Sequence, residues 1–122
     1  RALNKVILLG LTPVVAHVER YNDIDEKGVQ ELINMGAYIQ VNAASVLKPK
    51  LIGDKHKHYK KRAKKYLDAE LVHFIASDMH NIDSRRTYMR EAYNIIEEKY
   101  GPTIAYELFE KNQEKLLMNK II

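Results

Sequence analysis

Residues 71–80 read Leu-Val-His-Phe-Ile-Ala-Ser-Asp-Met-His. The first seven, 71–77, are short, apolar and rich in β-branched and aromatic side chains, which predicts a buried strand. Asp78 and His80 follow directly, and two residues apart in extended chain they project to one side.

Working outward, the same pattern recurs twice. Residues 37–42 (AYIQVN) predict a second strand, and 12–17 (TPVVAH) predict a third that ends near His17. Helical spacing fills the gaps. A helix starting at or beside Asp25 places Val29, Leu32 and Ile33 on one face, and Gly36 stops it. A loop through Pro49 and Gly53 leads into a helix over about 58–68, whose apolar stripe is narrow: Tyr59, Ala63, Tyr66 and Leu67. Further helices are predicted at about 86–99, 102–110 and 113–119, with Pro102 at a first helical position and Asn112 as an N-cap. At the start, Ala2, Leu3, Val6, Ile7 and Leu9 form a helical stripe that Gly10 ends. A helix already under way at residue 1 suggests sequence upstream.

Strands joined by helical crossovers imply an α/β fold with a parallel sheet and right-handed connections. Three strands alone leave two open edges, so part of a larger β/α barrel fits the pattern better. The 122 residues suffice for one domain, without repeat or linker. The composition, 46% hydrophobic and 30% charged, is that of a globular chain, with no bilayer-length apolar run. The lack of cysteine excludes disulfides and any thiol nucleophile, and is compatible with a reducing cytoplasm.

Parallel β/α folds carry their active sites at the carboxyl ends of the strands. His17 ends one strand, and Asp78 and His80 end another. Metal binding explains that placement, and so do ordinary strand and helix caps; spacing alone does not choose between them. Arg20 and Arg85 lie close to these residues in sequence, in predicted loops. Guanidinium forks match phosphate oxygens, so cations with two arginines would suit phosphoryl hydrolysis.

Three segments carry a resemblance: A-H-V-E-R-Y (16–21), Q-V-N-A-A-S-V-L-K-P-K-L (40–51) and S-D-M-H-N-I-D-S-R (77–85). Together with the spacing between them and the ending E-A-Y, K-Y-G, L-F and N, they resemble the metal-dependent protein-tyrosine phosphatases of bacterial capsule and exopolysaccharide biosynthesis. Those enzymes belong to the PHP (polymerase and histidinol phosphatase) family. The likeness implies the C-terminal part of a distorted β/α PHP barrel, occupying 1–122 as part of a single domain with a helical C-terminus. It implies His17, Asp78 and His80 as metal ligands and Arg20 and Arg85 as phosphate-binding arginines, with Arg86 adjacent to the second. It also implies a divalent cluster, manganese first with iron or zinc open, and a cytoplasmic enzyme acting on the phosphotyrosine tail of a partner tyrosine kinase. Both cysteine-based classes of tyrosine phosphatase are excluded.

The family's opening H-x-H strand and its further Glu and His ligands have no counterpart here, so the chain alone is expected to be inactive. His56-Lys57-His58 copies the letters H-x-H among lysines and is read as a solvated loop or helix start; His73 is read as a packed or second-shell histidine. Residues 55–65 hold seven lysines and arginines and no acid, leaving 13 basic against 16 acidic residues elsewhere. A solvated helix is the preferred reading of this run, with no nucleic-acid partner. Proximity to a membrane or an acidic tail, and homo-oligomerisation, stay open. Two competing functions are a phosphoesterase for a small monoester such as histidinol phosphate and a non-enzymatic basic binding module.

Overall fold

The computed structural model describes residues 13–48, 52–54, 57–76 and 82–118, with the side chains of 82–88 excepted. The predicted helix over the first ten residues lies outside this range.

Strands β1 (Val14–Val15), β2 (Tyr38–Asn42) and β3 (Phe74–Ala76) form a parallel sheet in that order. Val14 pairs with Tyr38, and Val41 pairs with Ile75. Helix α1 (Glu26–Asn34) joins β1 to β2, and α2 (Lys57–Asp68) joins β2 to β3. Helix α3 (Ile82–Tyr100) follows, then α4 (Pro102–Tyr106), a π-helical turn over Glu107–Lys111, and α5 (Asn112–Leu117).

Local chemistry sets the ends of α1. The Asp25 carboxylate accepts from the Gly28 N–H at 2.8 Å, and Gly36, at φ 99°, lets the chain reverse into β2. Val29 is fully buried below.

In-register residues of parallel strands share a face. Ile39, Val41 and Ile75 therefore point the same way, and the helices pack there in two clusters. One gathers Val18, Val29, Ile39, Val41, Ala63 and Tyr66 under α1 and α2. The other gathers Ile75 with Ala92, Ile96, Ala105, Leu108 and Phe109 from α3, α4 and the π turn. The opposite parity, which carries Gln40, Asn42, Phe74 and Ala76, belongs to neither cluster.

Several predicted bounds need correction. Among the described residues, the strand predicted over 12–17 keeps only Val14–Val15 in the ladder, and that over 71–77 keeps Phe74–Ala76. Helix α3 starts at Ile82 rather than near residue 86. The last two predicted helices run on through the π turn, and Asn112 is not a cap: its backbone is helical (φ −68°, ψ −35°). Its side chain instead donates to the His73 carbonyl at 2.9 Å, while Gln113 donates to the Ile75 carbonyl at 3.1 Å. A π turn shifts the angular register of a helix, and here both adjacent residues reach β3.

Candidate functional site

Because the three strands run parallel, their carboxyl ends form one rim. The chain leaves β1 through a turn at Ala16 and His17 and enters a 3₁₀ turn over Val18–Arg20. His17 sits at φ 53°, ψ 45°, in the left-handed region, and its carbonyl accepts from the Arg20 N–H at 2.9 Å. That region is uncommon for a residue with a side chain and is held only when the surroundings determine it.

Two residues on, the turn is anchored by Glu19, a fully buried carboxylate. It accepts from the Asn42 N–H at 3.2 and 3.5 Å through its two oxygens, at the carboxyl end of β2. Beyond Val15 the ladder is thus replaced by a side-chain acceptor, which is why β1 stops short of His17. Asn42 in turn accepts from the Ala44 N–H at 3.2 Å and starts the 3₁₀ turn over Ala43–Val46.

Helix α2 grips the same loop from outside. Arg62 donates through Nη1 to the Glu19 carbonyl at 2.9 Å and through Nη2 to Asn22 Oδ1 at 2.8 Å. The Tyr66 hydroxyl donates to the Ile24 carbonyl at 3.0 Å, and burial raises its pKa above the usual 10.0. One turn before Arg62, the Tyr59 ring lies under the Arg20 guanidinium, 5.9 Å from its centroid. Residues 59, 62 and 66 share a helix face, so one stripe of α2 fixes the segment carrying His17 and Arg20. Sequence reading did not single out Glu19 or Arg62. Glu19 stood inside the quoted H-V-E-R motif, and Arg62 was masked by the lysines around it.

The second half of the candidate set enters from β3. That strand ends at Ala76 on the same rim, with β2 between it and β1. Asp78 and His80 lie outside the described residues. Arg85 falls in the first turn of α3 by its backbone, not in the predicted loop, and Arg20 likewise ends a 3₁₀ turn. Among the described residues, no three His, Asp or Glu side chains come close enough to hold a metal ion. Of the proposed ligands, the described residues include His17 alone.

His73 has a packing role. Its Nδ1 accepts from the Ile39 N–H at 3.0 Å while its own N–H donates to the Ile39 carbonyl at 2.9 Å. Burial holds its pKa below the usual 6.5. His58 is exposed at the start of α2, its ring tilted by 51° against that of Tyr59 with centroids 4.0 Å apart, while His56 lies outside the described residues.

These features define an α/β protein with a parallel sheet and a loop bearing a histidine and an arginine clamped at the carboxyl rim. The chain belongs to the CpsB/CapC family of capsular polysaccharide synthesis, whose family model matches residues 1–118. It is 52% identical over 122 residues to the tyrosine-protein phosphatase CpsB of Streptococcus pneumoniae, covering 98% of this chain and 50% of that protein. To the tyrosine-protein phosphatase YwqE of Bacillus subtilis it is 36% identical over 117 residues, covering 94% of this chain and 44% of the relative. The fold matches a chain from the crystal structures of YwqE and CpsB, described as unique metal-dependent tyrosine phosphatases. The TM-score is 0.80 at 32% identity, over 99% of this chain and 47% of that one. The chain therefore spans about half the length of the relatives it matches. No helix among the described residues is long and apolar enough to cross a membrane.

Proposed function

We propose that the protein carrying this chain is a metal-dependent protein-tyrosine phosphatase, and that residues 1–122 form part of a single distorted PHP barrel. The observation that carries this reading is the clamped turn. His17 and Arg20 are held three residues apart on the rim where β3 also ends, in a family whose named relatives are tyrosine phosphatases. Helices packed on one face of a parallel sheet, with Gln40 and Asn42 on the other, support the barrel.

His17, Asp78 and His80 are the proposed metal ligands. A mixed set of imidazole and carboxylate donors suits manganese, iron or zinc, with manganese the first choice. Divalent cations bound there would supply an acidified water and positive charge beside the phosphoryl group. Arg20 and Arg85 hold the non-bridging phosphoryl oxygens, and their charge offsets what builds up during transfer. The Tyr59 ring and the Arg62 clamp orient Arg20 before substrate arrives, which lowers the entropic cost of the step. The proposed substrate is phosphotyrosine on the tail of a partner tyrosine kinase, in the cytoplasm.

The test uses the intact protein, assayed with a phosphotyrosine peptide and with histidinol phosphate, each with a chelator and with added manganese. Preferential, manganese-dependent turnover of the peptide is expected, and Asp78→Ala or His80→Ala should abolish it. Near-normal rates in either variant, or preference for the small monoester, would overturn the proposal.

A further inference from the structure

The basic run has a second helical stripe. Lys57, Lys60, Lys61 and Lys64 are spaced i, i+3, i+4, i+7 and occupy the face of α2 turned away from the Arg62 clamp. With Lys48 and Lys99 they line a groove of about 570 Å³ between α2, the 3₁₀ turn after β2 and the end of α3. Its floor is apolar, built from Val46, Leu67, Ile95 and Ile96.

Two of the six ammonium groups are engaged. Lys60 lies 2.9 Å from Asp54 and donates to the Lys48 carbonyl at 3.3 Å, while Lys99 lies 3.4 Å from Asp68. Lys48, Lys57 and Lys61 form no ion pair among the described residues, Lys64 has only the through-space attraction of Asp68 one turn on, and all four are exposed. Like charges crowded around an apolar trough repel one another, and an acidic occupant would relieve that repulsion.

We infer that this groove docks an acidic segment of the protein substrate flanking its phosphotyrosine, an inference that rests on the phosphatase reading above. Charge complementarity selects the sign of the occupant. Shape selects its class: the apolar surface lies at the bottom of a trough below the lysines, where side chains of an extended segment reach and a flat bilayer does not. Position links the groove to the rim, because its wall over Ser45–Lys48 follows directly from Asn42, whose N–H binds Glu19 at the carboxyl end of β2.

The test compares the intact protein with a variant combining Lys57→Gln, Lys61→Gln and Lys64→Gln, all exposed positions outside the proposed chemistry. Substrates are para-nitrophenyl phosphate, a phosphotyrosine peptide flanked by glutamates, and the same peptide flanked by glutamines. The KM for the acidic peptide should rise about tenfold, as three weak exposed pairs are lost, with the other two substrates unchanged. Equal effects on all three, or none on the acidic peptide, would overturn the inference. Fluorescence anisotropy with a labelled glutamate-rich peptide bearing phenylalanine for phosphotyrosine reads the groove without turnover. Binding should weaken in the variant and with added salt. If the unmodified protein turns over no phosphotyrosine, the catalytic reading fails and this arm alone decides the groove. Loss of sedimentation with phosphatidylglycerol vesicles, with peptide affinity intact, would assign the lysines to a membrane and overturn the inference.

Discussion

Replacing Glu19 separates a buried carboxylate with a structural task from one that merely happens to be inside. In Glu19→Ala the Asn42 N–H, in a residue only 2% exposed, loses its acceptor. An orphaned buried donor costs about 1–3 kcal/mol. Loss of the buried Cγ methylene adds about 0.8 kcal/mol, while removal of a desolvated charge returns part of the sum. The expected net destabilisation is about 2–3 kcal/mol. Glu19→Gln keeps an amide oxygen facing Asn42 and gives up only the charge-assisted part of the bond, so about 1 kcal/mol is expected. Urea unfolding of the intact protein, extrapolated to water with the slopes compared, measures both. Phosphatase turnover should follow the same order, because His17 and Arg20 ride on the turn that Glu19 anchors. Alanine within about 0.5 kcal/mol of the parent, or alanine and glutamine alike, would refute the assignment.

Other perturbations probe the surrounding contacts. Arg62→Ala removes the bonds to the Glu19 carbonyl and Asn22 and should cost about 1–2 kcal/mol in urea unfolding; Arg62→Lys should recover only part, since one ammonium cannot reproduce the fork. His73 must be unprotonated at Nδ1 to accept from Ile39, and burial lowers its pKa. Its contribution is therefore complete above its unfolded value of about 6.5 and is lost as pH falls from there through the lower folded value. Urea midpoints at pH 7.5 and 5.5 should fall more steeply in the parent than in His73→Asn, which retains an acceptor but does not titrate. Arg85→Ala should lower kcat by about 10²–10³ if it acts as one oxyanion donor does, with the thermal midpoint unchanged in a calorimetric scan.

What was legible in the sequence followed local periodicity. The Asp25 cap, the Gly36 stop and the strand over 37–42 are local signals, and the structure contains all three. What was not legible depends on contacts distant in the chain. No property of residues 102–119 alone announces that Asn112 and Gln113 will bond to β3 carbonyls, so a strong N-cap residue was read as a helix start. Glu19 carries no local sign of burial, and carboxylates are rarely fully buried; its acceptor role exists only once β2 lies alongside. Of the five proposed site residues, His17 and Arg20 have described side-chain positions, Arg85 is placed by its backbone, and Asp78 and His80 lie outside the described residues.

Helix α2 shows why a charge run should be divided by face before it is interpreted. Its single arginine points inward to two oxygen acceptors at 2.9 and 2.8 Å, a geometry that suits a planar fork. The lysines at 57, 60, 61 and 64 point the other way, where a flexible ammonium on an apolar stem can cover Val46 and Leu67 while staying in water. Counting seven positive charges between residues 55 and 65 merges these roles. Resolved by face, the helix orders the Arg20 loop on one side and offers a cationic trough on the other. Charge neutralisation on the lysine face should then leave the loop's geometry untouched, whereas loss of Arg62 should disturb it without altering the trough.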